Sequence, residues 1–141
     1  MPVNRDRNFM EHEIAIRGEV VTGLGKGRIF LSMEHYRRQF ADALGFDPYP
    51  GTLNVKVEGE DLISFENLKR EEGLRIEGGT VNGKRYGGAV AYRCKVIGIA
   101  AAIVVPEMSS HKDVVEVISG CGLRKSLKLR DGSILRITAS L

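Results

Sequence analysis

Three glycines alternate in the run Gly23-Leu24-Gly25-Lys26-Gly27. Bare positions at every second residue let successive backbone N–H groups turn into one concavity, a nest for phosphate oxygens, and Lys26 adds positive charge. The run is not a Walker A loop, because Gly27 rather than Ser or Thr follows Lys26. Nor is it a dinucleotide fingerprint, since Arg28 stands where the third glycine belongs. A plain hairpin tip would use the same glycines. In a second run, Pro50-Gly51-Thr52-Leu53-Asn54, Thr52 and Asn54 are two apart and share one face of a strand. A hydroxyl and an amide oxygen together can orient a hydrated Mg²⁺, which prefers hard oxygen ligands. The same pair would also serve a polar strand face bonded to its neighbours.

Glu116 lies between Val115 and Val117. If the valines face the core, Glu116 points outward; if it lines a cleft, it can accept hydrogen bonds from a polyol. A fourth segment, Cys121, Gly122, Leu123, Arg124, Lys125 and Ser126, reads as a turn entering a helix. A helix N-terminus attracts anions, and Arg124 and Lys125 reinforce that. The three histidines stand apart with no HExxH and no nucleophile partner, so hydrolase triads and metalloprotease sites are unsupported. Cys94 and Cys121 lack CxxC spacing and read as free thiols of a reducing compartment.

The elements that must position these residues are mostly strands. Residues 13–21 alternate at Ile14, Ile16 and Val20, and residues 28–31 resume after the glycines as a second strand. Ser32 can cap a helix over 33–44, whose Met33, Tyr36, Phe40 and Leu44 share a face, with Gly45 beyond its end. The prolines in Phe46-Asp47-Pro48-Tyr49-Pro50-Gly51 impose an extended link. Residues 52–57 alternate with Leu53, Val55 and Val57 inward, and a short helix follows near 61–68. Strands are expected over 74–77, 79–81, 85–96, 99–105, 114–119 and 133–138, with turns at Asn82-Gly83 and Asp131-Gly132 and a polar loop over 106–113. A second short helix fits 123–129. No βαβ rhythm appears, which favours a mainly β fold, a small β-barrel decorated by helices.

Composition agrees. Seventeen of the 141 residues are glycine, where about 7% is usual, and glycine that dense disfavours a helical bundle. The length suits one domain, 13–141, after a charged tail over 1–12. The longest apolar run, 96–105, is too short for a helical membrane span, and no apolar signal core opens the chain, so a cytoplasmic location is expected. Of the net charge of +3, residues 121–141 carry +4 and residues 1–120 carry −1. A basic patch of this kind serves a phosphate ligand or a nucleic acid.

Read in order, these segments resemble a known family. GEVVTGLGKGR from Gly18 to Arg28, Tyr36 in its helix and LGFDPYPGTLNV from Leu44 to Val55 are similar to the archaeal CTP-dependent riboflavin kinases. So are the Pro106-Glu107 loop, Val115 to Ile118, Leu123-Arg124 and the turn from Leu129 to Ser133, and the likeness covers about residues 14–138. The resemblance implies a six-stranded cradle-loop barrel, a finer statement than the small β-barrel of the strand pattern. It implies transfer of the γ-phosphate of CTP to the 5′-hydroxyl of riboflavin, giving FMN and CDP, with Mg²⁺; a monomer is expected. Carried over residue by residue, the first nucleotide-binding loop falls on Gly23, Leu24, Gly25, Lys26, Gly27 and Arg28, and the second on residues 121–126. The metal-binding Thr and Asn fall on Thr52 and Asn54, and the flavin-binding Glu falls on Glu116, whose role as a base the sequence leaves open. The flavin-binding Thr matches Ser109 counting from Pro106, or Met108 counting back from Glu116; Ser109 keeps the hydroxyl. Lys26 stands where the family often has Glu, and Cys121-Gly122 replaces a more apolar or Pro-containing stretch.

Two other classes compete. A non-catalytic barrel could bind nucleic acid through residues 121–141, but the few aromatics are not clustered with the basic residues. A protein-interaction domain of swapped-hairpin type leaves the glycine loop and Gly-Thr-Leu-Asn without a purpose. Neither a nucleic acid nor a membrane is expected as a partner.

Overall fold

Alternation decides what each strand buries. In β1 (Glu13–Val21), Ile16 and Val20 are buried, and in β2 (Leu53–Lys56) Leu53 and Val55 are, while Asn54 between them is turned to the other face. The computed structural model describes residues 12–23, 25–108 and 112–141. After β1 come helices α1 (Lys26–Ser32) and α2 (Glu34–Leu44), then β2 and helix α3 (Gly59–Lys69). Short strands β3 (Leu74–Ile76), β4 (Gly79–Val81) and β5 (Lys84–Tyr86) precede the longer β6 (Ala89–Val96), β7 (Ile99–Pro106) and β8 (Val114–Ser119). Helix α4 (Leu123–Ser126) and β9 (Ile134–Ser140) close the described chain. No helix among the described residues is long and apolar enough to cross a membrane.

The main sheet runs β3-β6-β7-β8-β2-β1-β9, and β9 pairs back onto β6. Six antiparallel strands therefore close into a barrel, with β3 as an extra strand. The two share one edge of β6: β3 pairs with Ala89 to Ala91, and β9 with Cys94 to Val96. Closure leaves few free edges. The barrel is filled by Ile16, Val20, Val55, Val115, Val117, Ile137 and their neighbours. A second apolar cluster lies outside it, where Leu31, Tyr36 and Phe40 of the helices pack on Ala89, Ala91, Ala102, Val104 and Ile118. Small alanines on the outer face let α2 approach closely. This double burial explains why β7 is buried on both faces from Ala101 to Val104.

Most expected elements are present, with four corrections. Residues 28–31 are not a strand but part of α1. Gly25 adopts a left-handed conformation (φ 78°) and turns the chain into that helix. Gly27 and Leu31, four apart, are its buried positions. Ser32 does not cap α2; its hydroxyl donates to the Ile29 carbonyl at 2.7 Å, and Met33 occupies the cap position without a side-chain bond. The strand expected over 85–96 breaks at Gly87-Gly88 into β5 and β6. The helix expected over 123–129 stops at Ser126, and Lys128 takes φ 55°. The Asn82-Gly83 turn has φ 52° and 80°, as a two-residue hairpin requires. Cys94 is buried and Cys121 half-buried, both as free thiols, and burial pushes the Cys94 thiol up to about 12.

The β6–β7 turn carries a β-branched residue in a conformation that disfavours it. Val96 and Ile99 are paired, leaving Ile97 (φ 47°) and Gly98 (φ 79°) as the two turn residues. A left-handed Cβ costs about 1–2 kcal/mol, and Ile97 is 65% exposed, so its side chain gains little from burial. Asn tolerates this region and suits a type I′ turn. Ile97→Asn should therefore stabilise the protein by about 1 kcal/mol, raising Tm by about 3 °C or more. A thermal melt of the variant checks this, and an unchanged or lower Tm contradicts it.

A candidate active-site cleft

Two strand registers bring the chemistry together. Across β1–β2, Val21 is opposite Asn54, and across β2–β8 Asn54 is opposite Glu116. Directly opposed residues have side chains on the same face about 5 Å apart at Cβ. Asn54 and Glu116 thus stand side by side on the outer face of the barrel, while Leu53, Val55, Val115 and Val117 fill its interior. Thr52, two residues before Asn54, joins them: the Asn54 amide nitrogen lies 3.3 Å from the Thr52 carbonyl oxygen and 3.5 Å from its hydroxyl. The alternatives for Glu116 turn out not to exclude each other. It points out of the barrel, and that outer face is covered by the helices to form a cleft.

The glycine loop packs directly on this pair. A Cβ added at Gly23 would run into the Asn54 amide, 2.7 Å from Cγ and 2.9 Å from Oδ1. A Cβ at Gly27 would lie 2.8 Å from the Thr52 hydroxyl and 3.1 Å from its Cβ. Both glycines are bare because backbone must come this close. Between the loop, β2, β8 and α2 lies a cleft of about 370 Å³. Thr22, Gly23, Gly25 and Gly27 line one side and Thr52, Asn54 and Glu116 line another. Phe30, Leu31, Tyr36, Phe40 and Ile118 give it an apolar wall.

Tyr36 fixes that wall. Its hydroxyl donates to the Gly87 carbonyl at 2.7 Å, and its ring meets Phe30 edge to face at 5.4 Å. Burial foremost, then Tyr86 and Glu107, raise its pKa above the usual phenol value, with Arg85 opposing them. The phenol stays protonated and donating. Phe30, Tyr36, Phe40 and the Gly87-Gly88 pair were not singled out as site residues. A glycine doublet within an otherwise regular strand was the available signal, since Gly there marks a break or a close approach. Beside the cleft, a second hollow of about 440 Å³ is lined by Phe65, Glu66, Lys69, Arg70 and Lys112, and Glu116 borders both.

Other expected site residues are placed differently. Residues 121–126 do not line the cleft; they lie beside its glycine-loop edge. Arg124 Nη2 donates to the Val21 carbonyl at 3.3 Å and to Asp131 Oδ1 at 2.9 Å. Leu123 is buried in the barrel core, and Gly122 sits against the Tyr49 ring. Arg28 is exposed and outside the cleft lining. Met108 lines the cleft and is 86% exposed. Leu24, Ser109 and the side chain of Lys26 lie outside the described residues, as do residues 1–11 of the expected tail.

A magnesium ion fits the donor set. Among the described residues no group of three or more His, Cys, Asp or Glu is gathered in metal-binding fashion. The Thr52 hydroxyl and Asn54 amide oxygen are hard, neutral donors of the kind Mg²⁺ takes, and both residues line the cleft. Neutral ligands hold such an ion weakly unless an anionic substrate supplies the remaining charge.

Comparison with known proteins bears on what this cleft does. A family model for CTP-dependent riboflavin kinases, described as a domain of unknown function, DUF120, matches residues 20–139. The chain is 41% identical over 132 residues to a riboflavin kinase of Archaeoglobus fulgidus, covering 93% of this chain and 57% of that one. It is 43% identical over 132 residues to one of Ignicoccus hospitalis, covering 93% and 74%. With one of Methanoculleus marisnigri it shares 37% over 123 residues, 86% of this chain and 55% of that one. The chain thus spans little more than half the length of two of these three relatives. The match takes in the end of β1, the glycine loop, β2 and β8, all of which build the cleft, and on this ground the chain belongs to the CTP-dependent riboflavin kinase family.

Proposed function

We propose that the chain is a CTP-dependent riboflavin kinase that transfers the γ-phosphate of CTP to the 5′-hydroxyl of riboflavin. The observation that carries this reading is the meeting of Thr52, Asn54, Glu116 and the glycine loop around one cleft with an apolar wall. A triphosphate lies along the loop amides, and the flavin ring lies against Phe30, Tyr36 and Phe40. The ribityl chain then runs toward Glu116, whose carboxylate accepts a hydrogen bond from it. Transfer forms a bond between the 5′-oxygen and the γ-phosphorus, breaks the bond to the β–γ bridging oxygen and releases CDP. The hydroxyl proton leaves with the forming bond, and Glu116 is the carboxylate best placed to receive it.

Phosphoryl transfer needs positioning and charge neutralisation more than covalent help from the protein. Mg²⁺, held by Thr52 and Asn54 together with the phosphates, supplies charge neutralisation. The loop amides hold the phosphate oxygens, and Tyr36 keeps the wall closed on Gly87. Backbone groups of residues 121–126 read the cytosine edge, at the end of the nucleotide that extends past Val21. The enzyme acts as a cytoplasmic monomer.

The test is an assay of FMN formation from riboflavin and Mg²⁺ with CTP, ATP, GTP or UTP in turn. FMN is expected with CTP. FMN from ATP but not CTP would overturn the donor assignment, and none with any nucleotide would overturn the kinase reading.

A further inference from the structure

Asp131, which the sequence shows as part of the turn from Leu129 to Ser133, joins three parts of the molecule. Its Oδ2 accepts a 2.6 Å hydrogen bond from the Thr22 hydroxyl, and its Oδ1 accepts one of 2.9 Å from Arg124. Arg124 also reaches the Val21 carbonyl at 3.3 Å, and the Gly132 amide donates to the Val20 carbonyl at 2.8 Å. Thr22 is the residue immediately before Gly23 and lines the cleft. Arg124 lies in the 121–126 segment. One exposed carboxylate therefore ties the stem of the glycine loop to the other segment placed against the nucleotide.

We propose that Asp131 is a positioning residue for the nucleotide, holding the glycine-loop stem and residues 121–126 as one preformed surface. This rests on the kinase reading above. A segment with three glycines in five residues has much backbone freedom to lose on binding. Anchoring Thr22, the residue before it, removes part of that cost before the ligand arrives, which is how preorganisation raises affinity. The anchor also sets the direction of Arg124, whose guanidinium would otherwise keep only its longer bond to the Val21 carbonyl. An exposed ion pair contributes little to stability, so the fold itself does not demand both of these partners on one side chain. Nothing in the flavin half of the cleft touches Asp131 among the hydrogen bonds of the described residues, so its effect falls on one substrate.

The test compares wild type with Asp131→Ala, Asp131→Asn and Thr22→Val. Asp131→Ala is expected to raise KM for CTP about tenfold, the scale of one charge-assisted hydrogen bond. KM for riboflavin should stay within about twofold, and Tm within a few degrees. Asp131→Asn keeps an acceptor for Thr22 and should lie between the two. Thr22→Val, which removes the anchor from the other side, should reproduce the CTP effect. Calorimetric titration with CDP, without riboflavin, should show the same loss of affinity. Equal rises in both KM values, or a large fall in Tm with unchanged CDP affinity, would overturn the proposal and leave Asp131 a turn residue. If wild type binds CDP but forms no FMN, the kinase reading fails, while CDP affinity of the variants still decides the role of Asp131. If wild type binds no CDP, both fail.

Discussion

Replacing Asn54 by alanine is expected to lower kcat for FMN formation about 100-fold and to leave Tm within a few degrees. The size follows from what the amide is placed to do. On the proposed reading it would be one of two oxygen donors for the ion; it also holds the Thr52 hydroxyl at 3.5 Å and stands opposite Glu116. Loss of a single preorganised group that stabilises developing charge costs about 10²–10³ in kcat. The fold survives because the amide lies outside the barrel, whereas β2 is held by the buried Leu53 and Val55. Initial rates at saturating CTP and riboflavin, together with a Mg²⁺ titration, measure the effect. The Mg²⁺ midpoint should move to higher concentration, and a rate within threefold of wild type would remove Asn54 from the metal site.

Gly27→Ala is the second large effect, because stability and activity respond to it differently. Gly27 lies inside α1, where alanine is favoured over glycine by about 1 kcal/mol. The added methyl, however, would sit 2.8 Å from the Thr52 hydroxyl oxygen, so Thr52 must turn away. Overpacking of this kind costs about 1–3 kcal/mol, leaving a net stability change of about 1 kcal/mol. Displacing a hydroxyl with the role proposed for Thr52 by an ångström would cost about 10²-fold in rate. We expect kcat to fall at least about 30-fold. Gly45→Ala is the matching control. Gly45 ends α2 at φ 82° with nothing within 4 Å of a new Cβ, so it should lower Tm and spare the rate. If Gly27→Ala lost activity only in proportion to its Tm, the close approach of α1 to Thr52 would carry no catalytic meaning.

How far the sequence disclosed this arrangement depends on whether a feature is local. The inward faces of β1, β2 and β8 were legible because each alternates apolar and polar residues over its own length. The helix over Glu34–Leu44 was legible from Tyr36 and Phe40, four apart, and from the glycine that ends it. Residues 28–31 misled because four residues are too few to show a period, and only the left-handed Gly25 settles the helix. That Gly23 touches Asn54 and Gly27 touches Thr52 is a non-local fact, created by the β1–β2 register. Motif order put these residues forward without it, through the family resemblance alone. The apolar wall was hidden for another reason: Phe30, Tyr36 and Phe40 look like ordinary core, and their packing on Ala89, Ala102 and Ile118 is indeed core-like. Glu116 was ambiguous because sequence does not say that the outside of this barrel is roofed.

The pairing of Asn54 with Val21 on one side and Glu116 on the other has an evolutionary edge. Strand β2 is four residues long, with Leu53 and Val55 buried in the barrel. Adding or deleting one residue there would exchange its two faces, putting the amide among valines and a leucine in the cleft. Point substitution can therefore tune this centre, but length change cannot. Gene-level drift in chain length has to be absorbed elsewhere, outside the strands that keep step across this face.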